Sequence, residues 1–407
     1  MKNKPELLAP VGDFVSLRAA LKGGCDAVYL GVAGMNMRQN ATNFSLSDIS
    51  EVHRICRDAN IRIYLTLNTI VYPHEHAKIC EILEVAKSKV DGVICWDPLV
   101  ICECRRRQMP IHVSTQASVS NPEAARMYAD LGAVRVVPAR ECTLDELQTI
   151  RSESGLELEV FVHGAMCVSV SGRCFLSDFV CGKSGNRGEC TQNCRRQYEI
   201  RDVEDGHEFT IGNHFVMSAK DLCTLPFIDV ICDTGVDALK IEGRGRNPEY
   251  VQTVVSAYRR AIDAWADDAL CSELKKELLA KVEGVYNRTF CKGFFFGRPI
   301  SDFIDASGSQ ARYTKEFVGR ITNYYRKLNV AEVEVLDNTF GKGDPLLIIG
   351  ETTGVVSVWP KEIRQCETDV DVVERGKVTI PLASRVRVGD RVYRQVERPV
   401  DVSRTRG

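Results

Sequence analysis

Glu157–Arg196 reads ELEVFVHGAMCVSVSGRCFLSDFVCGKSGNRGECTQNCRR. From Leu156 to Val162 apolar and β-branched residues alternate and then fill every position, the pattern of a strand covered on both faces in an α/β protein. The composition then changes abruptly. His163, Gly164, Cys167, Cys174, Cys181, Cys190 and Cys194 follow, set among Gly, Ser and Asn that let a loop fold back on itself. A chemically loaded loop thus leaves the end of a buried strand.

Outward from this strand, short apolar segments alternate with amphipathic ones. Strands are expected at Glu6–Ala9, Ala27–Gly31, Ile61–Leu67, Gly92–Trp96, Ile111–Val113, Val134–Val137, Leu156–Val162 and, after an insertion, Asp237–Ile241. Helices are expected between them, including Leu222–Asp233 before the eighth strand and 247–265 after it, the latter opened by Asn247-Pro248. Eight strand–helix units are the count of a TIM-barrel-like (β/α)8 fold, and an open doubly wound sheet is the alternative. We therefore expect an α/β catalytic domain over 1–300 with a cysteine-rich insertion around 163–217. From about Phe317 the chain turns to short alternating strands with Gly and Asp turns, which predicts a small C-terminal β-barrel over 314–407.

With 407 residues, 44% of them hydrophobic, the chain can bury a large core, and its net charge of -2 argues against a surface coated for nucleic acid while allowing a local basic groove. No signal-peptide core and no run near the roughly 20 apolar residues of a membrane span is present, so a cytoplasmic protein without a membrane partner is expected. In that reducing compartment the 17 cysteines are not expected to pair as disulfides, so the clustered ones call for a metal or redox reading. The cluster contains no C-x-x-C pair. Its spacings are irregular, which suits thiolates on a loop ligating an iron-sulfur cluster but does not separate iron from zinc.

Active sites of (β/α)8 folds sit at the carboxyl ends of the strands. The residues emerging there are Arg38, Asn68, Gln116, Arg140, His163, Lys240, Glu242 and Arg244. Several guanidinium groups over one pocket suit a small anion, because Arg offers paired donors to carboxylate or phosphate. His163 is either a general base or an orienting group for the cysteine loop. Lys240 is expected to point into the mouth, with Glu242 holding an arginine in place. Basic clusters at Arg105–Arg107 and at Lys183, Arg187, Arg195, Arg196 and Arg201, with Tyr324, Tyr325, Arg326 and Lys327 in the C-terminal unit, are candidate contacts for RNA phosphates and bases.

The segment EVFVHGAMCVSVSGRCFLS (159–177) resembles the defining motif of the collagenase-like peptidase U32 family. ELLAPVGD (6–13), VSTQASVSN (113–121), VPARE (137–141), GNRGECTQNCR (185–195), SAKDL (218–222), KIEGR (240–244) and YNRTFCKGFFFG (286–297) are similar in the same way, so the resemblance spans most of the chain. It implies an enzyme carrying a 4Fe-4S cluster, with Cys167, Cys174 and Cys190 as ligands and Cys223, or alternatively Cys194, as the fourth. Cys181 and Cys232 rank lower. For the hydroxylase branch it implies a tRNA uridine converted to 5-hydroxyuridine at the wobble position, with prephenate as an anionic cosubstrate. The other implied readings are a peptidase, for which the sequence offers neither an activated nucleophile nor an H-E-x-x-H zinc site, and a quinone-ring hydroxylase working with a related partner chain.

Overall fold

The computed structural model describes residues 2–199, 204, 215, 217–299, 302–304, 306 and 308–398. Arg201 and most of the expected insertion beyond Glu199 lie outside the described residues. Ten strands build the first sheet: β1 (Glu6–Pro10), β2 (Ala27–Gly31), β3 (Arg62–Leu67), β4 (Gly92–Cys95), β5 (Ile111–Val113), β6 (Ala133–Val136), β7 (Glu157–Ala165), β8 (Asp221–Cys223), β9 (Ala238–Ile241) and β10 (Phe290–Cys291). β1 to β7 pair in parallel with their sequence neighbours, and β9 pairs in parallel with both β7 and β1. That double pairing closes the ring. An open doubly wound sheet would leave two edges, so the eight expected strands form a (β/α)8 barrel.

The helices follow from local signals. Asp13 and Ser16 form a capping box before Phe14–Gly23, Asn121 caps Pro122–Asp130, and Thr143 and Glu146 box the start of Leu144–Ser154. The helix Pro248–Ala266 buries Val251, Val254, Val255, Tyr258, Ala261 and Ile262 at the spacing of one helical face.

Leu222–Asp233 departs from expectation. Asp221–Cys223 is strand β8, paired antiparallel with the end of β7 (His163 opposite Cys223), and the helix starts only at Ile228. β7 runs to Ala165, past the ring, and so presents an edge that a three-residue strand can join.

Two apolar layers sandwich the strands, but the barrel interior is partly charged. Leu8, Ala27, Tyr29, Tyr64 and Ile94 cluster inside. Beside them Arg135 reaches Glu6 (2.8 Å), Glu157 (2.7 Å) and Glu159 (3.4 Å), and Lys240 Nζ lies 2.6 Å from the other oxygen of Glu159.

The C-terminal unit is antiparallel throughout, as expected from its alternation. Its eight-stranded sheet is organised by the long strand Tyr313–Tyr325, bent by irregularities at Phe317/Gly319 and Ile321/Asn323 so that it pairs on both sides. Val318, Ile321, Val333, Phe340, Ile348 and Val392 form its separate core. Lys22 on the first helix donates to the carbonyls of Thr353 (2.6 Å) and Val355 (3.2 Å), and Leu347 and Val355 join the barrel-side core. Among the described residues no helix is long and apolar enough to cross a membrane.

Candidate active site

A bulge decides which residues of β7 face the barrel mouth. Glu159 and Phe161 point inward: Glu159 holds Lys240, and the Phe161 ring lies 3.9 Å from the Arg140 guanidinium. Strict alternation would turn His163 the same way. Instead Phe161 pairs with Lys240 and His163 with Ile241, two residues of advance against one, and this irregularity reverses the phase. His163 therefore points outward, buried against Phe290, Tyr258 and Tyr250 at ring separations of 5.4, 5.6 and 5.9 Å, with Nδ1 3.4 Å from the Tyr258 hydroxyl. It does not reach the mouth as a general base, and it does not orient the cysteine loop.

Burial, and secondarily Arg246, hold the His163 imidazole down at about 3 against its usual 6.5. A depressed histidine leaves the unfolded chain to take the proton first, so its contribution to stability is complete above pH 6.5 and is lost as pH falls towards 3. Denaturant unfolding at pH 7 and pH 5 should therefore show a smaller loss on acidification for His163→Phe than for the parent. An identical loss in both would contradict the burial of this ring.

At the mouth, Glu242 accepts from Arg38 Nη2 (2.7 Å) and Nε (3.1 Å), while Tyr29 donates to its second oxygen at 3.3 Å. Burial alone would raise the Glu242 carboxyl, but Arg38, Arg140 and Arg244 outweigh it and hold the group at about 2. Glu242 thus holds an arginine as expected, and that pairing removes Arg38 from the free anion anchors. Arg244 is buried and donates to Thr66 Oγ1 (3.1 Å), and burial lowers it to about 10. Among the described residues Arg140 forms no salt bridge with a carboxylate; it donates to the Ala165 carbonyl at 2.8 Å. Asn68 and Gln116 meet through Ser114, whose hydroxyl donates to Gln116 Oε1 at 2.5 Å. These groups line a small cavity of about 50 Å³, with the Lys240 ion pair at its floor. Lys240 points into the barrel as expected, yet its ammonium is bound to Glu159 and is not a free catalytic group.

Above this floor, and sharing Arg38, Gln116, Arg140 and Glu242 with it, opens a pocket of about 320 Å³. Cys167, Cys174, Cys190 and Cys194 all line it. Burial raises the Cys194 thiol, Arg195 beside it opposes, and Cys167, Cys190 and Cys174 lie close enough to raise it further. The Leu176 amide donates to Cys174 Sγ (3.3 Å), the Gln192 amide to Cys190 Sγ (3.4 Å) and the Ser177 hydroxyl to Cys190 Sγ (3.7 Å). The loop is seated by Arg187, whose guanidinium binds Glu75 (2.8 Å), and by Gly188, where any side chain would collide with the Asn36 carbonyl.

The expected fourth thiol is elsewhere. Cys223 lies in β8, buried beside Tyr258, and burial pushes its thiol up to about 12. It belongs to the same outer layer as His163. Cys232 is buried in the helix Ile228–Asp233, and Cys181 is exposed at the end of Leu176–Cys181, taking hydrogen bonds from Asn193 and Thr191. The Arg105–Arg107 cluster ends a helix on the outside of the barrel, where Arg106 and Arg107 both bind Glu103.

The sequence profile of peptidase family U32 matches residues 12–304, which spans the barrel from its first helix onward and the cysteine loop. The chain belongs to the peptidase U32 family. A collagenase of Porphyromonas gingivalis is 37% identical, the match covering 96% of this chain and 98% of the relative. The tRNA hydroxylation protein P1 of Bacillus subtilis is 34% identical over 88% of each chain. A 23S rRNA 5-hydroxycytidine synthase of Escherichia coli is 32% identical over 88% of this chain and 56% of the relative.

In this U32 chain the pocket has a second cationic wall. Arg195, Arg246 and Arg288 line it; Arg288 is 3.6 Å from Asp221 and 3.4 Å from Gln192 Oε1, and Arg246 stacks 3.6 Å from the centre of the Tyr286 ring. Arg288 was not among the expected site residues, because it sits in the YNRTFCKGFFFG segment after the last barrel helices rather than at a strand end. Tyr29 was likewise hidden, being a strand residue whose only signal is its inward parity.

Proposed function

We propose that the chain is an iron-sulfur RNA hydroxylase that forms 5-hydroxyuridine at the tRNA wobble position with prephenate as cosubstrate. The observation that carries this reading is the sharing of one pocket by four cysteine thiols and by Arg140, an arginine that forms no salt bridge with a carboxylate among the described residues. The names of the tRNA- and rRNA-hydroxylating relatives support the substrate class.

The donor set fits a polynuclear cluster. Four thiolates on one zinc ion would lie about 3.8 Å apart, from a Zn–S bond of ~2.3 Å. Among the described residues the one group of three or more ligand atoms all within 4.8 Å is His76, Cys80 and Glu103, whose carboxylate is taken by arginines; the pocket thiols stand wider. Amide and hydroxyl donors to Cys174 and Cys190 are what thiolates bound to iron need to disperse their charge. Cys167, Cys174, Cys190 and Cys194 would hold the cluster, which when bound supplies one-electron redox chemistry.

The remaining steps belong to the chain's own residues. Arg140 presents donors into the pocket for a carboxylate, and Arg195, Arg246 and Arg288 add positive potential on the opposite wall. Glu242 stays ionised and fixes Arg38, so the mouth keeps its shape while the charge of the cosubstrate is met by Arg140 and the second cationic wall. Asn68, Ser114 and Gln116 offer amide and hydroxyl groups of the kind that pair with the imide edge of a uracil.

Arg140→Lys keeps the charge and removes the paired donors. The KM for prephenate is expected to rise tenfold or more, as losing a charged hydrogen bond of about 1.5–3 kcal/mol implies, with iron content unchanged. Full activity, or loss of iron along with activity, would remove Arg140 from this role. The function itself is tested by mass spectrometry of tRNA nucleosides from cells with and without the gene: 5-hydroxyuridine derivatives should disappear and return on complementation. An unchanged nucleoside profile in cells lacking other enzymes of this activity, with gelatin cleavage by the purified chain, would favour the peptidase reading that the Porphyromonas relative's name carries.

A further inference from the structure

We infer that the outer wall of the cysteine loop is a stacking surface for unpaired RNA nucleotides that flank the base entering the pocket. This rests on the functional reading above and adds to it the element that receives the rest of the RNA loop.

From Cys167 to Leu176 the chain presents two faces. Cys167, Ser169, Ser171, Cys174 and Leu176 line the pocket. Three of the residues between them are apolar and turned to solvent: Val168, Val170 and Phe175 are 44%, 62% and 62% exposed. Phe179, one turn on, is 87% exposed, and its ring centre lies 6.2 Å from that of Phe175 at an angle of 49°. Two adjacent phenyl rings this open are unusual on a protein surface, and their tilt gives two separate faces.

The charge around them matches an anion. Lys183 and Arg196 are exposed and lie close enough to Cys181, at the end of the same helix, to help lower its thiol after the hydrogen bonds from Asn193 and Thr191. Arg173, also exposed, is held on the other side by Ser118 at 3.1 Å. Geometry then selects the occupant. A pocket of about 320 Å³ admits one nucleobase and little else of a macromolecule, so the target must leave its stack and its neighbours must lie across the rim. Unpaired bases are commonly received by aromatic side chains, with cations beside them for the phosphates.

The test uses anaerobically purified full-length protein and a fluorescently labelled anticodon stem-loop RNA, read by anisotropy. Phe175→Ala/Phe179→Ala should raise Kd by about 5- to 100-fold, the span expected for loss of base stacking, with iron content and far-UV circular dichroism unchanged. Phe175→Tyr/Phe179→Tyr, which keeps the rings, should bind as the parent does. Equal affinity of the alanine variant and the parent overturns the inference. So does a variant whose defect is in self-association or in binding to anionic vesicles, with RNA affinity intact. If the parent chain binds no RNA, the functional reading falls together with this one; if the parent hydroxylates tRNA and the alanine variant matches it, only the stacking surface is lost.

Discussion

Cys194→Ser is expected to leave anaerobically purified protein with little iron and no brown cluster absorbance, whereas Cys223→Ser should keep both. Three cluster ligands leave an iron site open to solvent and prone to loss, so the effect of removing a true fourth thiolate is large. Cys194 opens onto the pocket shared with Cys167, Cys174 and Cys190, while Cys223 is packed behind β7 with its thiol protonated by burial. Iron analysis and electron paramagnetic resonance of the reduced proteins compare the two directly. Equal iron in both variants would contradict the ligand set, and loss only in Cys223→Ser would restore Cys223, the fourth ligand expected from the sequence.

The second large effect concerns the barrel interior. Glu159 is fully buried and joins Lys240 to Arg135, and it remains ionised because those cations outweigh the burial that would protonate it. Glu159→Gln leaves two buried cations short of a partner and should cost roughly 3–5 kcal/mol of stability, the usual consequence of breaking a buried pair from one side. Glu159→Gln/Lys240→Met should recover much of that loss, since an apolar replacement of the ammonium removes the unpaired charge. Denaturant unfolding of both variants measures this. A single substitution costing under about 1 kcal/mol, the range of exposed pairs, would mean that water reaches the layer and that Lys240 is available to the site.

The barrel was legible because the parallel strands are short, mostly apolar segments, and helices recur between them. β8 was not, since three residues paired mostly through one extended edge leave no pattern distinct from the start of a helix. The strand-end rule brought Arg38, Asn68, Gln116, Arg140, Glu242 and Arg244 to one mouth, where the structure also finds them. It expected Glu242 to hold an arginine but could not say that this would be Arg38 and not Arg140, because that depends on side-chain distances of a few ångströms across different strands. His163 was misplaced for a different reason: a one-residue bulge reverses inward and outward, and nothing in EVFVHGA announces it. The same event places Cys223, for the strand that pairs with the outward-turned end of β7 carries it away from the pocket that Cys194 lines.

Under the proposed function one pocket joins an iron-sulfur cluster, an anionic cosubstrate and a uridine. Its most direct test is a reconstituted reaction under anaerobic conditions with purified protein, prephenate and tRNA from cells lacking the gene, followed by nucleoside mass spectrometry. A uridine heavier by one oxygen is expected at the wobble position, formed by the parent and absent when Cys194 is replaced by serine or prephenate is omitted. A protein that carries its full iron yet leaves every tRNA nucleoside unchanged under these conditions would contradict it.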